Sequence, residues 1–129
     1  MRARGVVKIG EVKARWVHGY HVRVKGRHYI YSETRERLSV WDFTEIYPLS
    51  LALETGRTDR RGKAIFGSYP VDGKMSKGGD RVRKPGLSED WDEYDVKFSN
   101  GCFYLPDNWE FTDKWGHCEI IGSQWEAKL

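Results

Sequence analysis

The residue types that most often carry chemistry are present in this chain, but their spacing does not assemble a reactive centre. Four histidines and two cysteines raise the question of a metal site. His117 and Cys118 are adjacent, so on a strand their side chains point to opposite faces. Cys102 stands apart, and neither Cys-x-x-Cys nor His-x-x-x-His occurs, whereas structural zinc sites are usually built on such pairs. No metal and no other cofactor is therefore expected, and Cys102 and Cys118 read as reduced core thiols. The acidic run Glu89, Asp90, Asp92, Glu93 and Asp95 offers carboxylates for acid–base hydrolysis. Strand alternation places Asp95 with Glu93 and opposite Tyr94, and a solvated strand face or loop explains the run without catalysis. Gly62-Lys63 and Gly73-Lys74 lack the Gly-x-x-x-x-Gly-Lys-Ser/Thr spacing that cradles phosphates, so they read as turns. Nothing resembles a nucleophile elbow with an oriented base. The expectation is a protein that is not an enzyme, with a small carboxylate hydrolase as the alternative.

The set with most promise mixes cations and rings. Arg15, Arg23, Lys25, Arg27 and Arg35 lie among Trp16, Tyr29 and Tyr31, with Tyr20 and Arg37 nearby. A sheet face that pairs cations with stackable rings can bind nucleic acid, the cations meeting phosphates and the rings meeting bases. Trp and Tyr are also enriched at the energetic centres of protein interfaces, so a protein partner is an equal candidate for the same residues. The competing reading is that the rings are core and the charges solvated.

Charge sharpens the picture. The net charge of +3 hides an asymmetry: residues 1–40 hold ten Lys/Arg against three Asp/Glu, and residues 65–129 hold eight against twelve. A basic half beside an acidic half fits a nucleic-acid surface, or two halves that attract each other within one chain or between copies in a homo-oligomer.

The elements that must position these residues are strands. At 129 residues with 39% hydrophobic and 32% charged, the chain has little apolar material to spare. Its six tryptophans help, since a Trp or Tyr buries roughly 150–250 Å². Tyr20–Tyr31 alternates apolar and polar residues around Gly26, the pattern of a hairpin. Val22, Val24 and Ile30 share its buried face if the loop has three residues, and a one-residue slip exchanges the faces. Ser39–Tyr47 is a further apolar run ended by Pro48. Pro48–Glu54 suits one helical turn, and Thr55–Lys63 a turn between two extended pieces. Residues 67–90, with five Gly and two Pro, read as a long loop. Trp91–Phe98 alternates again, and Asn100-Gly101 is a strong two-residue hairpin signal before Cys102–Leu105. Cys118–Gly122 forms a last short strand. The chain thus divides into an N-terminal β region at 1–66, a loop or insertion at 67–90 and C-terminal strands at 91–129, together one unit with little helix.

Four stretches, in order, resemble the YopX family of phage and prophage proteins: Gly19-Tyr20 with His28-Tyr29-Ile30; Thr55–Phe66 (TGRTDRRGKAIF); Val96–Tyr104 (VKFSNGCFY); and Cys118–Gly122 (CEIIG). Each is short, and their order carries most of the weight. The sequence departs from the family where Gly67–Gly78 intervenes before Gly79-Asp80-Arg81-Val82, as an inserted loop or a partial duplication. It departs again at Arg57, where an apolar residue is usual, and at Trp125. The resemblance implies an SH3-like small barrel in the C-terminal half, a phage or prophage origin and no established activity; with the cation–ring set, the expectation is an accessory protein that binds a host protein or nucleic acid. The N-terminus lacks the apolar run of a secretory signal, and no stretch nears the roughly 20 apolar residues of a membrane span, so a cytoplasmic location without membrane contact is expected.

Overall fold

The computed structural model describes residues 2–8, 15–32, 43–85, 91–99, 102–104 and 117–125, without the side chains of residues 84, 85, 91 and 92. The protein is mainly β, and helical structure among the described residues is confined to short 3₁₀ turns such as Pro48–Ser50. The strands are β1 (Ala3–Val6), β2 (Trp16–Val24), β3 (Arg27–Tyr31), β4 (Phe43–Glu45), β5 (Ala52–Thr58), β6 (Ala64–Ser68), β7 (Pro70–Val71), β8 (Lys74–Met75), β9 (Asp80–Pro85), β10 (Trp91–Asp95), β11 (Lys97–Ser99), β12 (Cys102–Tyr104) and β13 (Glu119–Ser123). Eight form one sheet in the order β12-β11-β6-β5-β1-β2-β3-β4, three form a second in the order β10-β9-β13, and β7 and β8 pair alone. No helix among the described residues is long and apolar enough to cross a membrane.

Two expectations are corrected by turns. The hairpin of β2 and β3 closes on two residues, Lys25 and Gly26, with φ of 52° and 78°. This two-residue turn sets Val22 opposite Tyr29 and His21 opposite Ile30. Val22 and Val24 therefore stand on the face away from Ile30, which alone of the three is core. The expected loop at 67–90 contains β7, β8 and β9. Its turn residues punctuate short strands, as where Asp72 and Gly73, φ 50° and 83°, close β7 on β8.

The described strands do not close into a barrel in either half. The alternating run Trp91–Phe98 breaks at Val96, which is fully buried. Its N–H donates to the Asp80 carbonyl and its carbonyl accepts from Ser68 N–H, handing the chain from the second sheet to the first. β10 and β11 thus belong to different sheets rather than to consecutive barrel strands. The nearest approach to closure is in the first half, where Ile46, just past β4, bridges back to Val7 beside β1.

Two apolar clusters fill the interior. One holds Ala3, Ile30, Ile46, Leu51 and Val71; the other holds Ile65, Val82, Val96, Phe103 and Cys118; Leu53 packs on both. Cys118 is core, as expected, whereas Cys102, also expected in the core, is only half-buried, and neither forms a disulfide.

A buried ion pair joins the sheets. Arg4 of β1 donates to Asp80 of β9 at 2.8 Å and to the Gly78 carbonyl at 2.9 Å. Its guanidinium lies 4.6 Å from the Trp16 ring centre and 4.7 Å from that of Phe66. The other Asp80 oxygen accepts from Phe66 N–H. Burial pushes the Asp80 pKa up, and Arg4 opposes that shift without cancelling it. Gly78 is required by the close approach, since a Cβ there would lie 1.8 Å from the Ser50 carbonyl oxygen.

Removing one partner of such a pair strands the other. Arg4→Met is expected to destabilise the protein by about 3–5 kcal/mol in urea unfolding. The double variant with Asp80→Asn should lose less than the sum of the two single changes. Additive losses would show that the two groups do not act as a pair.

Candidate binding surface

The hairpin of β2 and β3 positions most of the cation–ring set, and its register sorts that set between two faces. Residues opposite one another in an antiparallel pair share a face. Tyr20 lies opposite Tyr31, Val22 opposite Tyr29, and Val24 opposite Arg27. On β4, Phe43 continues this face from Tyr31, and Glu45 continues it from Tyr29. None of these residues is buried; Tyr20 is 42% exposed and Val24 49%. Tyr31 and Phe43 touch as tilted rings 5.2 Å apart. Three tyrosines, two valines and a phenylalanine thus form an open sheet face, with Arg27 on it and exposed Lys25 at the turn beside it.

Of the expected residues, the fold brings Arg27, Tyr29 and Tyr31 together here with Lys25. Trp16 begins β2, where its ring stacks on Arg4. Arg15 precedes β2 with an exposed side chain, and its carbonyl accepts from Val7 N–H. Arg23 belongs to the opposite face, paired with Asp72 at 3.1 Å. Arg35 lies outside the described residues. In the acidic run, Asp95 is paired with Arg81 at 3.1 Å and Glu93 is exposed.

The opposite face carries a hydrogen-bonded line of side chains that residue spacing did not reveal. His21 Nε2 is 2.8 Å from His28 Nδ1, and His28 Nε2 is 2.9 Å from Asp72 Oδ2. His21 and His28 stand diagonally across the hairpin, and the two-residue turn of β7–β8 brings in Asp72. With Asp72 ionised, the bonding assigns the tautomers: His28 gives its Nε2 proton to Asp72, so neutral His28 accepts at Nδ1 from His21 Nε2–H. His21 Nδ1 is the free end. His28 is buried while His21 is half-buried. The groups spend their lone pairs on one another in a line rather than converging, and no described group of three or more His, Cys, Asp or Glu is arranged to hold a metal. The local signs were two histidines flanking a Lys-Gly turn and an Asp-Gly pair, but nothing in the spacing joins position 28 to position 72.

Burial lowers the His21 pKa, His28 and Arg23 add to that, and Asp72 opposes it. The hydrogen bond from His28, then Arg23, holds Asp72 below the usual carboxylate range.

No family model, no curated protein and no solved structure matches the chain.

The lowered His21 pKa fixes the sign of a pH dependence. In the unfolded chain His21 takes up a proton near its ordinary value of 6.5, while the folded protein resists it. The unfolded state then binds more protons, so this contribution to stability is present above that value and is lost as pH falls toward the folded pKa. The Asp72 contribution is lost only at more acidic pH, through its own depressed value. Thermal unfolding followed from about pH 8 to 5 should show a falling midpoint, and His21→Asn should flatten the fall. An unchanged slope in the variant would remove His21 from the account.

Proposed function

We propose that this protein is a non-enzymatic binding module that takes single-stranded nucleic acid on the tyrosine face of β2, β3 and β4. The observation that carries the reading is the register of Tyr20 with Tyr31 and of Val22 with Tyr29, which puts three stackable rings on one unburied sheet face. Arg27 on that face and Lys25 at the turn form no ion pair with a described residue, so both are available to phosphates. Base–aromatic stacking contributes about 1–3 kcal/mol per base and tolerates any sequence, while each phosphate met by a cation adds a salt-dependent component. The ordered resemblance of four segments to the YopX family supports placing this module among phage or prophage accessory proteins that act inside the host cell. The paired state of Asp95 favours binding over carboxylate hydrolysis as its work.

A fluorescent single-stranded oligonucleotide should bind at low salt, with affinity falling steeply as salt rises. Tyr20→Ala and Tyr29→Ala should each weaken binding by about 5- to 100-fold with the thermal midpoint little changed. No binding at low salt, or binding indifferent to both substitutions, overturns the reading. Capture of a host protein in a salt-insensitive complex that the same substitutions break would assign the face to a protein instead.

A further inference from the structure

A second surface, built from the other half of the chain, has the chemistry of an anion site. A cleft of about 340 Å³ opens between Met75-Ser76-Lys77 and the junction of β9, β10 and β11. Arg81, Asp95 and Lys97 line it, and the same three residues line an adjoining lobe of about 330 Å³ that also reaches Glu93 and Tyr94. Both volumes lie within the usual range for small-ligand clefts.

The polar groups of its wall are already committed. Ser76 Oγ accepts from Tyr69 N–H and donates to the Leu51 carbonyl. The Gln124 amide donates to the carbonyls of Asp80 and Val96 and bonds to Ser68 Oγ. Arg81 gives Nε to Asp95, and no described residue bonds its two outer nitrogens. Lys77 and Lys97 form no ion pair with any described residue. The donors left for a ligand are therefore all cationic: two ammonium groups and the outer fork of a guanidinium. Three cations and one paired carboxylate leave the shared cleft with two positive charges in excess, the complement of a dianion.

We propose that this cleft binds a phosphomonoester, with the phosphate held by Lys77, Arg81 and Lys97. The planar fork of Arg81 suits two phosphate oxygens at once, and the lysines act as point charges on either side. The adjoining lobe, where Glu93 offers an acceptor, has room for the nucleoside of a mononucleotide. The proposal is independent of the tyrosine face, because the two surfaces share no residue.

Two-dimensional amide NMR of the full chain tests it, with inorganic phosphate, AMP and adenosine titrated separately to millimolar concentration. Saturable shifts are expected around Lys77, Arg81 and Lys97 with phosphate and with AMP, and none with adenosine. AMP binding more tightly than phosphate identifies a nucleotide as the ligand, and equal affinity identifies free phosphate; either result supports the phosphate contacts. The double variant Lys77→Gln/Lys97→Gln, at exposed or half-buried positions, should weaken binding by about tenfold or more while Lys63→Gln, exposed and outside both surfaces, leaves it unchanged. The absence of saturable shifts with either phosphate ligand, or equal binding by the double variant, overturns the proposal. Oligonucleotide binding that depends on Tyr20 and survives the double variant keeps the fate of the tyrosine face separate from that of the cleft.

Discussion

The arrangement of the sheets depends on one buried charge pair. Arg4 reaches from the middle of the eight-stranded sheet to Asp80, at the start of the central strand of the three-stranded one. An isolated carboxylate in that position would carry a large desolvation cost, and its pKa stays raised because Arg4 and the Phe66 N–H do not cancel that cost. What makes the site tenable is saturation. Asp80 accepts from Arg4 and from Phe66 N–H, its carbonyl accepts from Gln124, and the Arg4 guanidinium is flanked by two aromatic rings. Gly79 N–H donates to Ser68 Oγ and Gln124 N–H donates to the Gly79 carbonyl, so the backbone around the pair is bonded into both sheets. No buried side-chain polar atom among the described residues lacks a partner.

The same logic repeats at Asp59. Asp59 is buried in the β5–β6 loop, where one oxygen accepts from the N–H groups of Arg61 and Lys63 and the other from Ile120. Burial works to raise its pKa, and the three backbone donors, Lys63 foremost, outweigh it and leave it lowered. Glu119, one residue before Ile120, holds Arg83 and Arg61 and is likewise lowered, chiefly by the hydrogen bond from Arg83. Asp80 and Asp59 differ in outcome because the desolvation of Asp80, with repulsion from Asp59, exceeds what Arg4 and one N–H return, whereas at Asp59 three N–H donors and Arg61 outweigh burial.

Much of the fold was legible because strands announce themselves locally. Alternation marked Tyr20–Tyr31, whereas β5 occupies Ala52–Thr58, where one helical turn and then a turn were expected. Register was harder to read, since it depended on Lys25 adopting a positive φ that the residue type does not advertise. The Asp72-Gly73 turn carried a recognised hairpin signal, but it sat within a stretch so rich in Gly and Pro that the short strands around it read as loop. Tyr94–Phe98 alternates without interruption, so nothing local showed that Val96 would change sheets. For the surfaces, composition pointed to the hairpin of β2 and β3, and only the register separated Tyr29 and Tyr31 from Arg23. The His21–His28–Asp72 line and the Arg4–Asp80 pair join residues up to 76 positions apart, and no spacing rule reaches that far.

The charge asymmetry of the two halves now has a physical reading that also bears on function. Arg4–Asp80 and Arg23–Asp72 each join the basic first 40 residues to the acidic remainder, so part of the asymmetry is consumed inside the chain. Lys25, Arg27, Lys77 and Lys97 have no such partner among the described residues, and they lie on the tyrosine face or in the cleft. β9 shows how one strand serves both ends: Asp80 and Val82 are buried while Arg81 between them is exposed. A period of two puts the carboxylate that locks the sheets and the guanidinium that faces the cleft on successive residues. The cation is then presented from the most tightly fixed strand of its sheet. A rigid donor loses little freedom when it meets an anion, which gives this position an advantage that a lysine on a free loop would lack.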